Sequence, residues 1–273
     1  MPPETIVITG GAGRIATALR PRLRKPGRTI RLLDVTAPEG PLDVNEEFHH
    51  IPVTDLDGTT RACLGARALV HLGGDPSERP WAELVDTNIT GTYTAFESAR
   101  AAGVPNVFFA SSLHCVGYNT FESASQSPVA PPRPDTLYGV TKAAGEAIGS
   151  LYADRFSMRV VAARIMEFGE HPSGQRQRLT WFSHDDAARL VEAAIQLAEP
   201  GFHIVWGSSR NSKGTVPLGP GEAIGFFPQD DAEDHLQSMA SSPKDDPKDP
   251  KTELIAGTFI DPQHPIDNDW TEG

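Results

Sequence analysis

Thr9-Gly10-Gly11-Ala12-Gly13-Arg14-Ile15-Ala16 follows the apolar run Ile6 to Ile8 and opens a helix-like segment, and this arrangement decides the fold. A glycine-rich turn between a strand and a helix is the phosphate-binding element of doubly wound α/β folds. Gly10 permits the tight turn, Gly13 lets the main chain approach a pyrophosphate, and the small Ala16 allows close packing of helix on strand. The stretch therefore predicts a dinucleotide-binding loop at the start of a parallel sheet.

The helix after this turn begins at Arg14 and Ile15, where free main-chain N–H groups and the helix dipole favour anions. We therefore expect Gly10, Gly13, Arg14 and Ile15 to contact the cofactor. A glycine loop alone is a weak signal, because an ordinary strand-to-helix turn has a similar composition. Its weight comes from the features that follow it along the chain.

Apolar runs of strand length alternate with longer helical candidates along most of the chain. Further strands are predicted at Ile30 to Leu33, Ala68 to Leu72, Val107 to Ala110, Val160 to Ala163 and His203 to Trp206, and helices at Arg14 to Arg24, Trp81 to Ala102, Tyr138 to Phe156 and Asp185 to Leu197. Ser183 is a predicted N-cap of the last helix. The alternation predicts an α/β protein with a Rossmann-type, doubly wound parallel sheet and a small C-terminal substrate-binding portion.

Asp34 stands at the end of the second predicted strand, 21 residues after Gly13. A carboxylate at this position accepts hydrogen bonds from ribose hydroxyls and repels a 2'-phosphate, which favours NAD over NADP. The residues that follow, Val35 to Pro38, include no arginine that would reverse this preference. Asp55 and Leu56, after the next strand candidate, are expected to flank the adenine. The alternative for Asp34 is a solvated aspartate at a strand end.

Tyr138-Gly139-Val140-Thr141-Lys142 places a phenol and an ammonium four residues apart, so that both lie on one face of a helix. The ammonium is expected to lower the pKa of the phenol from about 10 towards the operating pH, where the phenol acts as general acid or base. Ser112 follows a buried strand and is expected to bond the reacting oxygen. Such a pair is usually a surface feature, but its position after a glycine loop, Asp34 and Ser112 indicates a proton-transfer site.

Composition narrows the class of partner. A net charge of -12 and a pI near 5.2 disfavour nucleic acid and anionic membrane surfaces. Cys63 and Cys115 lack metal-ligand spacing, and the histidines are not spaced as ligands, so no metal is expected. His71 is interpreted as a core histidine and Cys115 as a small buried hydrophobe. Without an evident leader or long apolar run, we expect a cytoplasmic protein that acts on small molecules.

The sequence resembles the extended-type short-chain dehydrogenase/reductases, the NAD-dependent epimerase/dehydratase family, and is most similar within it to the uronate dehydrogenases. The resemblance spans nearly the whole chain and rests on Val70-His71-Leu72-Gly73-Gly74, Asn88-Ile89-Thr90-Gly91, Phe109-Ala110-Ser111-Ser112, Arg133-Pro134-Asp135, Leu137 to Lys142, Trp181-Phe182-Ser183-His184-Asp185-Asp186 and Val205-Trp206-Gly207.

The resemblance implies a catalytic triad of Ser112, Tyr138 and Lys142. It implies an NAD site that also includes Gly10, Gly13, Arg14, Ile15, Asp34, Asp55, Leu56, Leu72, Gly73, Gly74, Asn88, Ser111 and Ile165. His114 and Arg176 match positions around the sugar acid. The implied reaction oxidises the ring C1 hydroxyl of glucuronate or galacturonate to an aldarolactone, with Tyr138 removing the proton. A homo-oligomer formed through the long helices is also implied.

Three residues of the substrate pocket depart from the family pattern. Pro76 stands where those enzymes have a serine, Leu113 where they have an asparagine, and Glu167 where they have a small hydroxyl residue. Two hydrogen-bonding groups are lost, and Glu167 brings negative charge towards a pocket that would hold a carboxylate. Either Glu167 faces the ligand, or it pairs with Arg176 or Arg178 and turns away.

These departures favour an NAD(H)-dependent oxidoreductase that interconverts a secondary alcohol and a ketone on a small, polar, cyclic substrate. That substrate would be sugar-like or nucleoside-like, as for a ketoreductase of specialised metabolism. One alternative is a uronate dehydrogenase, and another is a non-catalytic NAD-binding sensor. Residues 1–165 are predicted to form the NAD-binding core with Tyr138 and Lys142. Residues 166–273 are predicted to supply substrate-binding segments, a further strand and helix, and a C-terminal arm from Ile255, within one intertwined unit.

Overall fold

A computed structural model describes residues 4–127, 129–238, 250–260 and 266. Seven strands form one parallel sheet in the order β3-β2-β1-β4-β5-β6-β9, and β7 pairs with β8 in a separate two-stranded ladder. The strands are β1 (Glu4–Thr9), β2 (Arg28–Asp34), β3 (Glu46–His50), β4 (Ala68–His71), β5 (Asn106–Ser112), β6 (Arg159–Ile165), β7 (Glu167–Phe168), β8 (Trp181–Phe182) and β9 (Gly201–Gly207). The predicted α/β class and doubly wound sheet are confirmed.

The helices cover both faces of this sheet. They are α1 (Arg14–Leu23), α2 (Leu56–Cys63), α3 (Trp81–Leu84), α4 (Gly91–Ala101), α5 (Phe121–Ser125), α6 (Leu137–Phe156), α7 (Gln177–Thr180), α8 (His184–Gln196) and α9 (Gly219–Ala223). Ser183 caps α8 as predicted, since its Oγ accepts a hydrogen bond from Asp186 N at 2.9 Å.

The predicted helix Trp81 to Ala102 is not continuous α-helix. A π-helical turn, Val85–Thr90, joins α3 to α4 and contains the buried Asn88. A π turn inserts one extra residue into a helix and occurs frequently at functional sites. Hydrophobic periodicity carries no signal for such an insertion, so the sequence predicted one helix where the structure has three segments.

Alternate residues of β1 enter two separate apolar cores. Ile6 and Ile8 pack on one face with Leu19 of α1 and Leu190 of α8. Val7 packs on the other face in the cluster that contains residues of α4 and α6. Burial on both faces is the arrangement that produces continuous apolar strands in parallel sheets.

The chain beyond residue 165 contributes to the same sheet, because β9 pairs with β6 in parallel. The C-terminal arm, Leu254 to Ile260, docks on the turn after β5: Ile255 N donates to Asn119 O at 2.9 Å, and Ala256 N donates to Gly117 O at 3.0 Å. These residues include a 3-10 turn, Gly257–Ile260, and contribute no strand to the main sheet. The division of binding roles at residue 165 stays a prediction.

Candidate active site

The carboxyl ends of the parallel strands place the loops after β1, β4, β5 and β6 along one edge of the sheet. The loops after β1 and β4 touch at Gly10, whose φ is +68° and whose added Cβ would lie 2.8 Å from Gly73 N. No side chain larger than hydrogen fits there. In doubly wound sheets, ligands bind where such neighbouring loops diverge in opposite directions.

The N terminus of α1 opens into this crevice. Gly13 occupies its N-cap position, no side chain among the described residues caps it, and its first turn contains no acidic residue. Main-chain N–H groups at such an end suit a pyrophosphate. The residues present therefore fit the diphosphate of a dinucleotide.

Asp34 lies beside the glycine loop at the end of β2. Its Oδ2 accepts a hydrogen bond from Ala12 N at 3.0 Å, and its Oδ1 accepts one from Thr36 N at 3.1 Å. Each carboxylate oxygen keeps a second lone pair for a ribose hydroxyl. Asp55 instead caps α2, because Oδ1 accepts from Gly58 N at 2.9 Å, and Leu56 begins that helix. Contacts of Asp55 and Leu56 with adenine stay a prediction.

The amide of Asn88 is occupied by the protein itself. Its Oδ1 accepts from Asp75 N at 2.7 Å, while Nδ2 donates to Asp75 O at 3.0 Å and to Thr141 Oγ1 at 3.1 Å. A Cβ at Gly74 would lie 2.9 Å from Asn88 Oδ1 and 3.8 Å from Lys142 Nζ. Asn88 thus fixes the loop after β4 against α6, and the Leu72-Gly73-Gly74 turn borders the lysine.

Ser112, Tyr138 and Lys142 are brought together as the sequence predicts. The Ser112 hydroxyl lies close enough to the phenol of Tyr138 to favour its ionised form. Lys142 Nζ lies 5.4 Å from the centre of the Tyr138 ring and 5.3 Å from that of Phe109. One end of β5 and the first two turns of α6 therefore create a compact group of two hydroxyls and an amine.

Burial controls the protonation of this group. Burial raises the pKa of Tyr138, and the nearby hydroxyl of Ser112 opposes that rise. It lowers the pKa of Lys142 to about 8. The expectation that Lys142 lowers the pKa of Tyr138 is wrong for the protein without ligand. Loss of hydration penalises both charged forms and outweighs their mutual attraction.

Ser111 and Ile165 lie on the strands beside this group. The Ser111 hydroxyl donates to Glu146 Oε1 at 2.7 Å, and Glu146 forms a buried ion pair with Arg164 at 2.8 Å. The side chain of Ser111 is therefore committed to the interior. Ile165 is half-buried at the end of β6. Their predicted contacts with the cofactor stay predictions, as do those of Arg14 and Ile15.

His114 stands next to Tyr138. Its Nδ1 lies 2.8 Å from Asp135 Oδ2, and its ring is 5.9 Å from that of Tyr138 and 4.7 Å from that of Phe259. The C-terminal arm thus brings an aromatic side chain over His114. Leu113 packs in an apolar cluster that also includes Trp206 and Ile255. Pro76 is exposed in the loop after β4.

Glu167 pairs with Arg176, one of the two arginines considered from the sequence. Arg176 Nε donates to Glu167 Oε1 at 3.0 Å, and Thr180 Oγ1 donates to the same oxygen at 3.0 Å. The guanidinium also donates to the carbonyl oxygens of Leu254 and Ile255 in the arm. Arg176 is therefore held by both a carboxylate and the arm.

Three residues next to the site were missed by sequence reasoning. Glu78 is buried and accepts hydrogen bonds from the main chain at the start of α6, Asp135 orients His114, and Phe259 covers it. A lone Glu after a glycine turn, or a Phe near the C terminus, belongs to no periodic pattern. Only Asp135 lay within a stretch that supported the resemblance, and its role there was not recognised.

His71 and Cys115, which the sequence analysis interprets as core residues, are both buried in the structure. His71 lies between the hydroxyls of Thr9, at 2.8 Å, and Thr92, at 3.2 Å, and burial lowers its pKa to about 3. Burial raises the pKa of Cys115 to about 12, as for an unreactive thiol. Across the part of the chain that the structure describes, no His, Cys, Asp and Glu side chains cluster as metal ligands. Nor does any described helix have the length and hydropathy to cross a membrane.

Comparison with known proteins points to one family. The model of the NAD dependent epimerase/dehydratase family matches residues 6–205. A uronate dehydrogenase of Agrobacterium fabrum is 35% identical over 259 residues, which cover 94% of this chain and 97% of that protein. An NAD-dependent glucose-6-phosphate dehydrogenase of Haloferax volcanii is 32% identical over 251 residues, 84% of this chain and 94% of that protein.

A solved structure extends the similarity to the fold. The crystal structure of a uronate dehydrogenase variant from Agrobacterium tumefaciens, complexed with NAD, superposes with a TM-score of 0.87 at 34% identity. The match covers 96% of this chain and 99% of that one. The fold is therefore shared over nearly the whole length of both chains.

Proposed function

Since the chain belongs to the NAD-dependent epimerase/dehydratase family and is an NAD-dependent oxidoreductase, we propose that it oxidises the C1 hydroxyl of a cyclic sugar acid to a lactone. The observation that carries this proposal is the grouping of Ser112, Tyr138 and Lys142, with Lys142 Nζ 5.4 Å and the centre of the His114 ring 5.9 Å from the centre of the Tyr138 ring. This is the arrangement that a hydroxyl to be deprotonated requires.

The chain's own residues handle the proton. Ser112 offers its hydroxyl hydrogen to the C1 oxygen of the sugar, and Tyr138, as the phenolate, takes the C1 hydroxyl proton and becomes the phenol. Burial raises the pKa of Tyr138, and the charge of Lys142 reduces the cost of forming the phenolate without reversing that shift. The pKa of Lys142, about 8, makes the protonation of the lysine sensitive near neutrality. NAD supplies the acceptor for the hydride that leaves C1. Together these transfers convert the C1 alcohol to the carbonyl of the lactone, so two electrons and one proton are accounted for.

The dinucleotide site of this proposal consists of residues that the chain already orders. Gly10, Gly13 and the N terminus of α1 would hold the diphosphate, Asp34 the adenosine ribose, and the Gly73-Gly74 turn the region near Lys142. Asp34 carries negative charge where a 2'-phosphate would lie, in accord with NAD as the cofactor.

A second function is supported by the ion pair between Glu167 and Arg176. A neutralised guanidinium recognises a carboxylate less well than a free one, which favours a neutral or amine-bearing ring as substrate. In that case the same hydroxyls would interconvert a secondary alcohol and a ketone. A sensor without catalysis is disfavoured, because dinucleotide binding alone does not require a serine, tyrosine and lysine in one group.

The decisive experiment measures NADH formation by the purified protein with glucuronate, galacturonate, their neutral parent sugars and cyclic polyols. We expect a higher kcat/KM for the uronates, a lactone as the first product by NMR, and loss of turnover in Tyr138→Phe by about 100-fold or more. Turnover of the neutral rings with none of the uronates would replace the proposal by the second function. Location in the cell and assembly into oligomers stay expectations.

A further inference from the structure

The first three N–H groups of α6 have no partners within the helix, and all three are held by side chains. Leu137 N donates to Glu78 Oε1 at 2.9 Å, and Tyr138 N donates to Glu78 Oε2 at 3.1 Å. Gly139 N donates to Thr136 Oγ1 at 2.9 Å. Glu78 is only 3% exposed, so its carboxylate is removed from water and faces the main chain of the helix. Thr136 is an ordinary N-cap, whereas Glu78 is a second cap supplied by a distant loop.

Both peptide groups of Tyr138 are fixed by residues connected to that loop. Its N–H is bound by Glu78, and its carbonyl oxygen accepts from Thr141 Oγ1 at 2.7 Å. Thr141 in turn accepts from Asn88 Nδ2 at 3.1 Å. The backbone of Tyr138 is therefore bound both by Glu78 of the loop after β4 and by Thr141 of its own helix, which in turn is bonded to Asn88.

The loop after β4 is itself rigidly bonded. Asp75 exchanges two main-chain hydrogen bonds with the Asn88 amide, and its carboxylate accepts from Ser77 N at 3.0 Å and from Arg79 Nε at 2.9 Å. The same loop begins with the Gly74 turn that borders Lys142. One short segment thus contacts the backbone of the tyrosine and the surroundings of the lysine.

We infer that Glu78 is a positioning residue for Tyr138, setting the phenol close to Ser112 and beside Lys142. The inference rests on the proposed role of Tyr138 as the acid/base. A proton transfer depends steeply on the distance between donor and acceptor, so a small displacement of the helix start slows it. Because Glu78 holds the N–H of the tyrosine itself, its loss moves the phenol more than the loss of Thr136 does.

The test begins with Glu78→Gln, which keeps the shape but offers one acceptor and sets an NH₂ group against the other N–H. We expect kcat to fall by about 10- to 100-fold, with KM for the sugar and Kd for NADH changed by less than about twofold. The solvent isotope effect on kcat should increase, because proton transfer becomes slower. Glu83→Gln, at an exposed position with the same charge change, should behave as the wild type.

A pair of further variants separates positioning from stability. Thr136→Ala removes the other cap and should lower the thermal midpoint while changing kcat by less than about twofold. Glu78→Asp keeps the charge on a shorter side chain and should have a kcat between those of Glu78→Gln and the wild type. If Glu78→Gln does not fold, Glu78→Asp serves as the test variant. The inference is overturned if Glu78→Gln keeps full kcat, or if Thr136→Ala loses kcat to the same extent.

A readout independent of turnover distinguishes failure of this inference from failure of the proposed function. If the wild type oxidises none of the sugars, the proposed function fails. A crystal structure of Glu78→Gln still decides about Glu78. A displacement of the Tyr138 phenol from Ser112 and Lys142 supports the positioning role, and an unchanged position of the phenol overturns it.

Discussion

Arg176 donates its Nε–H to the carboxylate of Glu167 at 3.0 Å, so the guanidinium expected to meet a sugar carboxylate already has an anionic partner. Glu167 is also held by Thr180, and Arg176 by the carbonyl oxygens of the C-terminal arm. A uronate bound at Arg176 would lie near the charge of Glu167. We therefore expect substrate preference to depend on whether Arg176 binds the carboxylate of Glu167 or that of a uronate.

Replacing Glu167 by Ser should release Arg176 and remove the repulsion. We expect kcat/KM for glucuronate and galacturonate to rise by about tenfold, because a charge-assisted hydrogen bond contributes about 1.5–3 kcal/mol. Activity on neutral rings should stay the same or fall. Glu170→Ser, three residues away at an exposed position, is the matched control. Equal uronate activity in wild type and Glu167→Ser would mean that Glu167 does not influence the substrate.

Lys142 should destabilise the protein without ligand at neutral pH. Burial lowers its pKa from 10.5 to about 8, so the unfolded chain binds a proton more readily than the folded one. The cost is absent above about pH 10.5, grows as the pH falls, and is complete below about pH 8, at about 3 kcal/mol. Lys142→Met should therefore raise the free energy of unfolding at neutral pH and abolish turnover. The gain should shrink as the pH rises from about 8 to about 10.5.

Urea unfolding at several pH values measures this effect. The control must be a lysine that is exposed and outside an ion pair. Lys25 does not qualify, because it forms an ion pair with Glu192. Lys213→Met, on the loop after β9, changes the same charge without burial. A stabilisation by Lys142→Met that is equal at all pH values would contradict a protonation effect and indicate improved packing instead.

His71 should make the protein sensitive to acid. It is neutral between Thr9 and Thr92, and burial lowers its pKa from 6.5 to about 3. The stability that it contributes is complete above about pH 6.5 and is lost as the pH falls towards 3, by about 2 kcal/mol between pH 7 and pH 5. His71→Asn, which keeps a polar group beside Thr9, should reduce this pH dependence. Burial also lowers the pKa values of His203 and His184. These two histidines therefore make the wild type and His71→Asn alike less stable in acid.

Most of the sheet was predictable because its central strands are apolar and buried on both faces and several strands end in residues with a chemical signature. The edge strand β3 carries charged and histidine side chains and gives no such signal. The glycine loop, Asp34, Ser112 and the pair Tyr138 and Lys142 all stand at one edge, since parallel strands bring their carboxyl ends together. Local sequence determines such features. The position of His114 beside Ser112 was also predictable, because the two residues are only two positions apart in the sequence.

Contacts between distant segments were not predictable from local patterns. Glu78 caps a helix that begins about sixty residues later, and Phe259 reaches His114 from the C-terminal arm. The pKa of Tyr138 was misjudged for a related reason. Spacing on a helix shows that Lys142 is near, but the degree of burial, which determines the sign of the shift, depends on the surrounding tertiary structure.

Asp34 allows a last prediction that separates charge from hydrogen bonding at the cofactor site. Asp34→Asn keeps an acceptor for Ala12 N or Thr36 N, so the glycine loop should retain most of its geometry. It removes the negative charge that would repel a 2'-phosphate. We expect kcat/KM for NAD to fall by about tenfold and that for NADP to rise, so that the preference narrows by about 100-fold. Asp57→Asn, in the first turn of α2, is the control for charge alone. An unchanged ratio of NAD to NADP would show that the ribose is recognised elsewhere, and a loss of both activities together would mean that Asp34 acts chiefly by holding the glycine loop.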